Sequence, residues 1–315
     1  MQKLVFGFIL CSFFFTSCEK DPPVCVYKTK YVVVIVVDGA RYSETWGDPL
    51  HQFIPYRYGY LNHAVICSEF YNAGTTNTVN GHASILTGND QNIDNSGAEL
   101  PEYPSWLQHY RKNGNLSQAQ SSLIASKDKL QVLANCNQSE WHDQFMPHAD
   151  CGISGQGSGY RSDSITLLHV LNYLQSDKPH VLLVNFREPD FTAHTGDSLG
   201  YLKGIRDTDS MAMAIWNYLE NDPFYSGKTA FIITNDHGRH LPGQGGFAHH
   251  GDNCEGCRHV EFFAMGPDFK KGFNSTSRYD LKDISATIAE LLHFEMPFSN
   301  GKVMWDVLDI PNRWE

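Results

Sequence analysis

Unbroken apolar runs punctuate the chain at long intervals. YVVVIVV at 31–37 is apolar at every position and stops at Asp38-Gly39. A strand with one wet face would alternate, so this run predicts a strand buried on both faces. HVLLVNF at 180–186, TAFIIT at 229–234 and VEFFAMG at 260–266 have the same character. Between these runs apolar residues recur every three or four positions. SITLLHVLNYLQ (164–175) and MAMAIWNYLEN (211–221) are therefore expected as amphipathic helices. ISATIAELLHF near the end is expected as another, with Asp283 as its N-cap. Strands alternating with helices imply an α/β fold with a mainly parallel central sheet, covered on both faces in three αβα layers. One stretch breaks the pattern. From about Asn89 to Arg161 the chain is polar, rich in Asn, Ser and Gly, and lacks strong strand runs. It is expected to be either an insertion capping a site or decorated loops.

The N-terminus carries a different pattern. Met1-Gln2-Lys3 is followed by LVFGFILCSFFF (4–15), an apolar run too short to span a bilayer, and then by Thr16-Ser17-Cys18 and the polar EKDPP. Residues 1–18 read as an export signal. Its end resembles the lipobox of bacterial lipoproteins, with Phe15 where leucine is usual. The resemblance implies lipidation of Cys18 and anchoring to the cell envelope, periplasmic or surface-exposed; an ordinary cleaved signal is the other reading. Residues 19–30 follow as a tether, and 31–315 as the folded domain. Export permits disulfides. With Cys11 and Cys18 set aside, Cys25, Cys67, Cys136, Cys151, Cys254 and Cys257 remain, and six cysteines allow 15 pairings. Cys136 with Cys151 and Cys254 with Cys257 are the shortest-range choices. CEGC (254–257) has no second CxxC, so a structural disulfide or free thiols is favoured over half of a zinc site.

Composition narrows the partners. Hydrophobic residues make up 41% and charged residues 19% of 315, which is globular. A formal net charge of −11 argues against a nucleic-acid partner held by a basic surface. It still admits an anionic substrate where metal ions supply local positive charge.

Ligands of doubly wound sheets bind beyond the carboxyl ends of the strands, and here those ends carry carboxylates and imidazoles. The first run ends in Asp38, the second leads to Asp190 and His194 in REPDFTAH, and the third ends in Asp236-His237. GFAHHGD then supplies His249 and His250. Clustered carboxylates repel one another unless cations join them, and mixed oxygen and nitrogen ligands suit zinc, with manganese as second choice.

The order Asp38, Thr78, Asp190-x-x-x-His194, Asp236-His237, His250-Gly251 resembles the alkaline phosphatase superfamily, closest to its nucleotide pyrophosphatase/phosphodiesterase and phosphoglycerate mutase-like branches. TNTVNGHASILTG (76–88) matches the family's nucleophile motif. The resemblance implies an alkaline phosphatase-like fold and a phosphate ester substrate. It also implies a phosphothreonine at Thr78 and two divalent metals. Asp190, His194 and His250 would hold one metal, and Asp38, Thr78, Asp236 and His237 the other. His250 is preferred to His249 because the family pattern is His-Gly. Thr75 and Thr76 are expected to shape the loop, His82 to support the nucleophile turn, and SILTG to open a helix behind it. Asn80, with a backbone N–H near Thr78, and Lys127 are candidate substrate contacts; Asn80 is equally a loop former and Lys127 a surface lysine. Arg187 and Asp209 are expected to be structural, and His240 is left open. No sulfatase Cys/Ser-x-Pro-x-Arg motif is present, and Val79-Asn80 replaces the Phe-Pro-Asn common after the nucleophile in nucleotide pyrophosphatases. The alternatives are a binding lipoprotein that has lost catalysis and a transferase of phosphoryl or phospho-headgroups.

Overall fold

The strand that the sequence marks most clearly is the centre of the molecule. In the computed structural model, which describes residues 26–252 and 254–310, Tyr31–Val37 forms β1 and lies between two parallel neighbours. Val32, Val34 and Val36 enter one apolar cluster, and Val33, Ile35 and Val37 enter a second on the opposite face. With both faces buried, alternation has no physical basis.

The other strands are β2 (Val65–Cys67), β3 (Phe70–Tyr71), β4 (Ser121–Ala125), β5 (His148–Cys151), β6 (Val181–Phe186), β7 (Thr229–Thr234), β8 (Phe262–Met265), β9 (Phe273–Ser275) and β10 (Tyr279–Asp280). The helices are α1 (Pro55–Tyr58), α2 (Thr78–Thr87), α3 (Trp106–Gly114), α4 (Asp163–Ser176), α5 (Asp190–Ala193), α6 (Ser198–Asn221), α7 (Glu255–Arg258) and α8 (Leu281–Leu292). Eight strands form one sheet in the order β5-β4-β6-β1-β7-β8-β2-β9. Within it β8 is antiparallel to β7 and β2, and the remaining pairings are parallel. Residues of α2, α3 and α8 pack on the face of Val34, and residues of α4 and α6 on the face of Val33. This is the three-layer α/β architecture expected from the pattern.

Four local expectations change. SILTG closes a helix instead of opening one: α2 starts at Thr78 and ends at Thr87, and Gly88 after it, with φ of 71°, supplies the left-handed cap. At α8 the N-cap is Asp280, and Asp283 is the third helical residue, returning a hydrogen bond to the Asp280 N–H in a capping box. Helix α6 begins at Ser198, not 211. Gly200, Gly204 and several charges dilute the apolar spacing of its first half, although Tyr201 and Ile205 are buried. The stretch 89–161 is more than decorated loops. It contributes α3 and the strands β4 and β5 to the main layers. SSLIA of β4 is short and begins with two buried serines, so it lacks a strand's usual signature.

Cys67, Cys136, Cys151, Cys254 and Cys257 are free thiols. The expected Cys136–Cys151 pair is not formed, since Cys136 meets the Gln108 side chain while Cys151 meets the Ala125 backbone. The export signal, Cys18, Cys25 and most of the tether lie outside the described residues. Among those described, no helix is long and apolar enough to cross a membrane.

Candidate metal centre

Parallel pairing brings the carboxyl ends of β4, β6, β1 and β7 to one edge of the sheet. Asp38 follows β1, Lys127 follows β4, Asp190 opens α5 beyond β6, and Asp236-His237 follow β7. Helix α2 delivers Thr78 from its first residue to the same edge. Close approach depends on glycine at two points. A Cβ on Gly81 would lie 2.3 Å from the Asp236 carbonyl oxygen, so only glycine lets α2 press onto the end of β7. At Gly39, with φ of 71°, a Cβ would lie 2.7 Å from that of Asp190.

Two groups of side chains result. In one, His194 Nε2 and His250 Nε2 lie 3.3 and 3.4 Å from Asp190 Oδ1 and 3.1 Å from each other. In the other, His237 Nε2 is 3.5 Å from both Asp38 Oδ1 and Asp236 Oδ2. The Nδ1 atoms of His250 and His237 are each 2.9 Å from a main-chain oxygen, of Thr76 and Gly238 respectively. Donation from Nδ1–H leaves each Nε2 lone pair facing the carboxylates, the tautomer a metal ligand requires. Burial pushes the His237 pKa down to about 3 and that of His250 down to about 4, so both rings are neutral near pH 7. Asp236 Oδ2 and His237 Nε2 are buried without a hydrogen-bond partner, and Asp38 Oδ1 has only the Lys127 ammonium. Two buried lone-pair atoms lacking donors, both of types that ligate divalent cations, fit a metal.

Lys127 lies within this centre and not on the surface. Its Nζ is 2.7 Å from Asp190 Oδ2, 2.9 Å from Asp38 Oδ1 and 3.2 Å from Thr78 Oγ1. Burial works against the ammonium, but the Asp190 and Asp38 carboxylates outweigh it and raise its pKa. Burial likewise works against the Asp190 carboxylate, yet Lys127, His194, His237 and Arg239 together hold it well below the usual range. Asp38 is pushed up, first by burial and then by the Asp190 charge, which the Lys127 ammonium only partly offsets.

Two partners escaped the sequence. Arg239 is buried, pairs with Asp190 Oδ1, and donates to the main-chain oxygens of Phe247 and Ala248. Its only sequence signal was its place in NDHGRH. Asn185, inside β6, is 3.1 Å from both Asp38 Oδ2 and His82 Nε2. His82 also lies 2.8 Å from the Thr78 carbonyl and 3.4 Å from Asp236 Oδ2, bracing the turn at Thr78 as its position predicted. Asn80 turns away from the edge, its amide donating to Gln91 O and Ile93 O in a loop-shaping role. The Val79 N–H is also taken, by Asn95 Oδ1. His249 is exposed, whereas His250 is in the cluster. Asp209 pairs with Arg57 away from the centre, and the Arg187 guanidinium lies 4.0 Å over the Phe191 ring. A cavity of about 770 Å³ between α3 and α8, lined by His109, Trp141 and His293 among others, shares no residue with the cluster.

A family model described as the Metalloenzyme superfamily matches residues 30–296. A phosphopentomutase of Herpetosiphon aurantiacus is 29% identical over 136 residues, which is 43% of this chain and 32% of that protein. The match thus spans about a third of that relative's length. Among solved structures, a phosphonate monoester hydrolase from Silicibacter pomeroyi has a TM-score of 0.66 at 15% identity, covering 91% of this chain and 78% of that one. Murine ectonucleotide pyrophosphatase/phosphodiesterase 5, in an inactive threonine-to-alanine form in complex with AMP, has a TM-score of 0.63 at 15% identity, covering 89% and 100%. At such identities the structural likeness concerns the fold.

Proposed function

The chain belongs to the Metalloenzyme superfamily, with its alkaline phosphatase-like fold, and on that premise we propose a two-metal phosphohydrolase that cleaves phosphate monoesters or diesters through a phosphothreonine at Thr78. One observation carries this reading. The Thr78 hydroxyl, at the head of α2, is 3.2 Å from Lys127 Nζ, which also reaches Asp190 of one ligand group and Asp38 of the other, where Asp236 Oδ2 and His237 Nε2 lack partners. Those groups would hold the two cations, zinc by its suitability to mixed oxygen and nitrogen ligands, or manganese. When bound, they would supply a lowered pKa for a nearby hydroxyl and neutralisation of phosphoryl charge. Thr78 Oγ1, giving up its proton, forms a bond to phosphorus as the ester P–O bond breaks, and the leaving alkoxide takes up a proton and departs as the alcohol. Water then attacks the same phosphorus, the Thr78 O–P bond breaks, and a proton from that water restores the threonine hydroxyl. Lys127, 3.2 Å from Oγ1, is placed to donate to a phosphoryl oxygen. The substrate is a small phosphate ester, and the chain works from the cell envelope, exported and anchored through Cys18.

The direct test restores zinc or manganese and compares rates on nitrophenyl phosphate, bis-nitrophenyl phosphate and a phosphonate monoester. Thr78→Ala is expected to lower turnover at least about a thousandfold while retaining the metals. Full activity in that variant overturns the nucleophile assignment, and absence of bound metal with no hydrolysis in the wild type favours a binding module. The phosphopentomutase relative favours a second reading, transfer of the phosphoryl group to another hydroxyl. It shares the first half-reaction, and product analysis separates it, since hydrolysis releases inorganic phosphate from a monoester and transfer does not.

A further inference from the structure

The CEGC run lies outside the two ligand groups, and the fold gives it companions that sequence spacing hid. His240, four residues beyond Asp236, and Asp252, two residues before Cys254, converge on it. One ligand atom from each of His240, Asp252, Cys254 and Cys257 lies within 4.8 Å of all the others. His240 Nε2 is 3.0 Å from Asp252 Oδ2, yet neither ring nitrogen has hydrogen-bonding geometry to any partner, although both are buried. Both thiols are directed at the Asp252 carboxylate, and Asp252 Oδ1 also accepts from the Cys254 N–H. We propose that these four side chains form a structural zinc site, separate from the catalytic metals, that clamps the loop carrying His250.

The donor set fits zinc in type and number. Two sulfurs, one imidazole and one carboxylate complete a tetrahedron with no position left for water, the mark of a closed structural site. With Zn–S of about 2.3 Å and Zn–N or Zn–O of about 2.0–2.2 Å, the tetrahedron's edges are roughly 3.3–3.8 Å, so only a small contraction is needed. Binding releases the two thiol protons to solvent as the Zn–S bonds form, with no change of oxidation state. A Cys254–Cys257 disulfide would use the sulfurs and leave the buried His240 ring nitrogens only the Asp252 carboxylate, outside hydrogen-bonding geometry. The clamp also has a purpose in the fold. His240 and Asp252 stand at the two ends of a loop that includes Gly243, Gly245 and Gly246, each with positive φ. That loop presents His250 to Asp190 and supplies the carbonyls that hold Arg239. Joining its ends removes much of the freedom that the glycines allow.

X-ray absorption at the zinc edge on the full chain, purified with zinc under reducing conditions, tests the proposal. Wild type is expected to show sulfur scattering at about 2.3 Å, which the catalytic groups cannot produce because they contain no cysteine. Cys254→Ser/Cys257→Ser should lose that signal and about one equivalent of zinc, and its 240–252 loop should become readily cut by protease. His240→Ala should weaken zinc retention against a chelator while leaving the thiols intact. The proposal is overturned by wild-type protein with no sulfur scattering, by undiminished zinc in the double variant, or by a mass showing a Cys254–Cys257 disulfide in zinc-grown protein. None of these outcomes depends on hydrolytic activity.

Discussion

Lys127 is the residue on which the centre's electrostatics turn. Three carboxylates, Asp38, Asp190 and Asp236, face two cationic side chains, Lys127 and Arg239, so acidic groups in the cluster outnumber basic ones by one. Counting carboxylates alone exaggerates its charge and conceals a competitor. The ammonium already occupies positions at Asp38 and Asp190 that a divalent cation would take. Lys127→Met is therefore expected to bind metal as tightly as wild type or more so, while turnover falls by about a hundredfold for want of one donor to the phosphoryl group. Metal titration beside kcat measures both, and a joint loss of metal and turnover contradicts the assignment. His109 gives a second residue-scale expectation, remote from the centre. With its ring centroid 4.3 Å from that of Trp141 and tilted at 52° to it, its pKa is pushed by burial down to about 4. An unfolded histidine titrates near 6.5, so between about 6.5 and about 4 the unfolded chain binds a proton that the folded chain refuses. Stability must fall as pH is lowered through that window. Denaturation of wild type and His109→Phe across it should show a shallower slope in the variant, by up to about one proton.

Among the elements, α2 decides where Thr78, the proposed nucleophile, stands. Its first residue is Thr78, and Gly81 in its first turn rests on the Asp236 carbonyl. Gly81→Ala adds helix propensity but forces α2 away from the end of β7. The expected result is a folded protein with turnover reduced by about tenfold or more, because an ångström of displacement is costly in a positioned site. Near wild-type kcat would show that the contact yields freely. The same helix shows what was legible in the sequence. The motif spacing singled out Thr78, but SILTG was placed at the wrong end of its helix because nothing local marks Asn77, which makes no side-chain cap, as a start. Strands β1, β6 and β7 were legible because burial on both faces leaves an unbroken apolar run. Strand β4 was not, and with it went the route by which Lys127 reaches the centre. Arg239 and Asn185 were illegible for another reason: their partners are distant in sequence, and single arginines and asparagines carry no periodic signal.

At the scale of the whole molecule, a buried ion triad ties α1 and α6 to the start of β8, beside Asn235 just after β7. Arg57 in α1 lies 2.8 Å from Asp209 in α6 and 2.5 Å from Glu261 just before β8, all three fully buried. Arg57→Met leaves two carboxylates unpaired in the interior and is expected to cost about 3–5 kcal/mol, read by chemical denaturation. A loss below about 1 kcal/mol would mean that the carboxylates protonate and are accommodated at little cost. The order of strands in the sheet bears on synthesis as much as on the finished form. Strand β1 is the first strand of the main sheet to be made, yet Val32 pairs with Val181 and with Ala230. Its partners therefore leave the ribosome about 150 and about 200 residues later, a separation that makes folding slow. For that interval YVVVIVV is an uncharged, proline-free β-branched segment with both edges open, the composition most prone to intermolecular pairing. The strand that centres the native sheet is thus the segment of the nascent chain most in need of a chaperone.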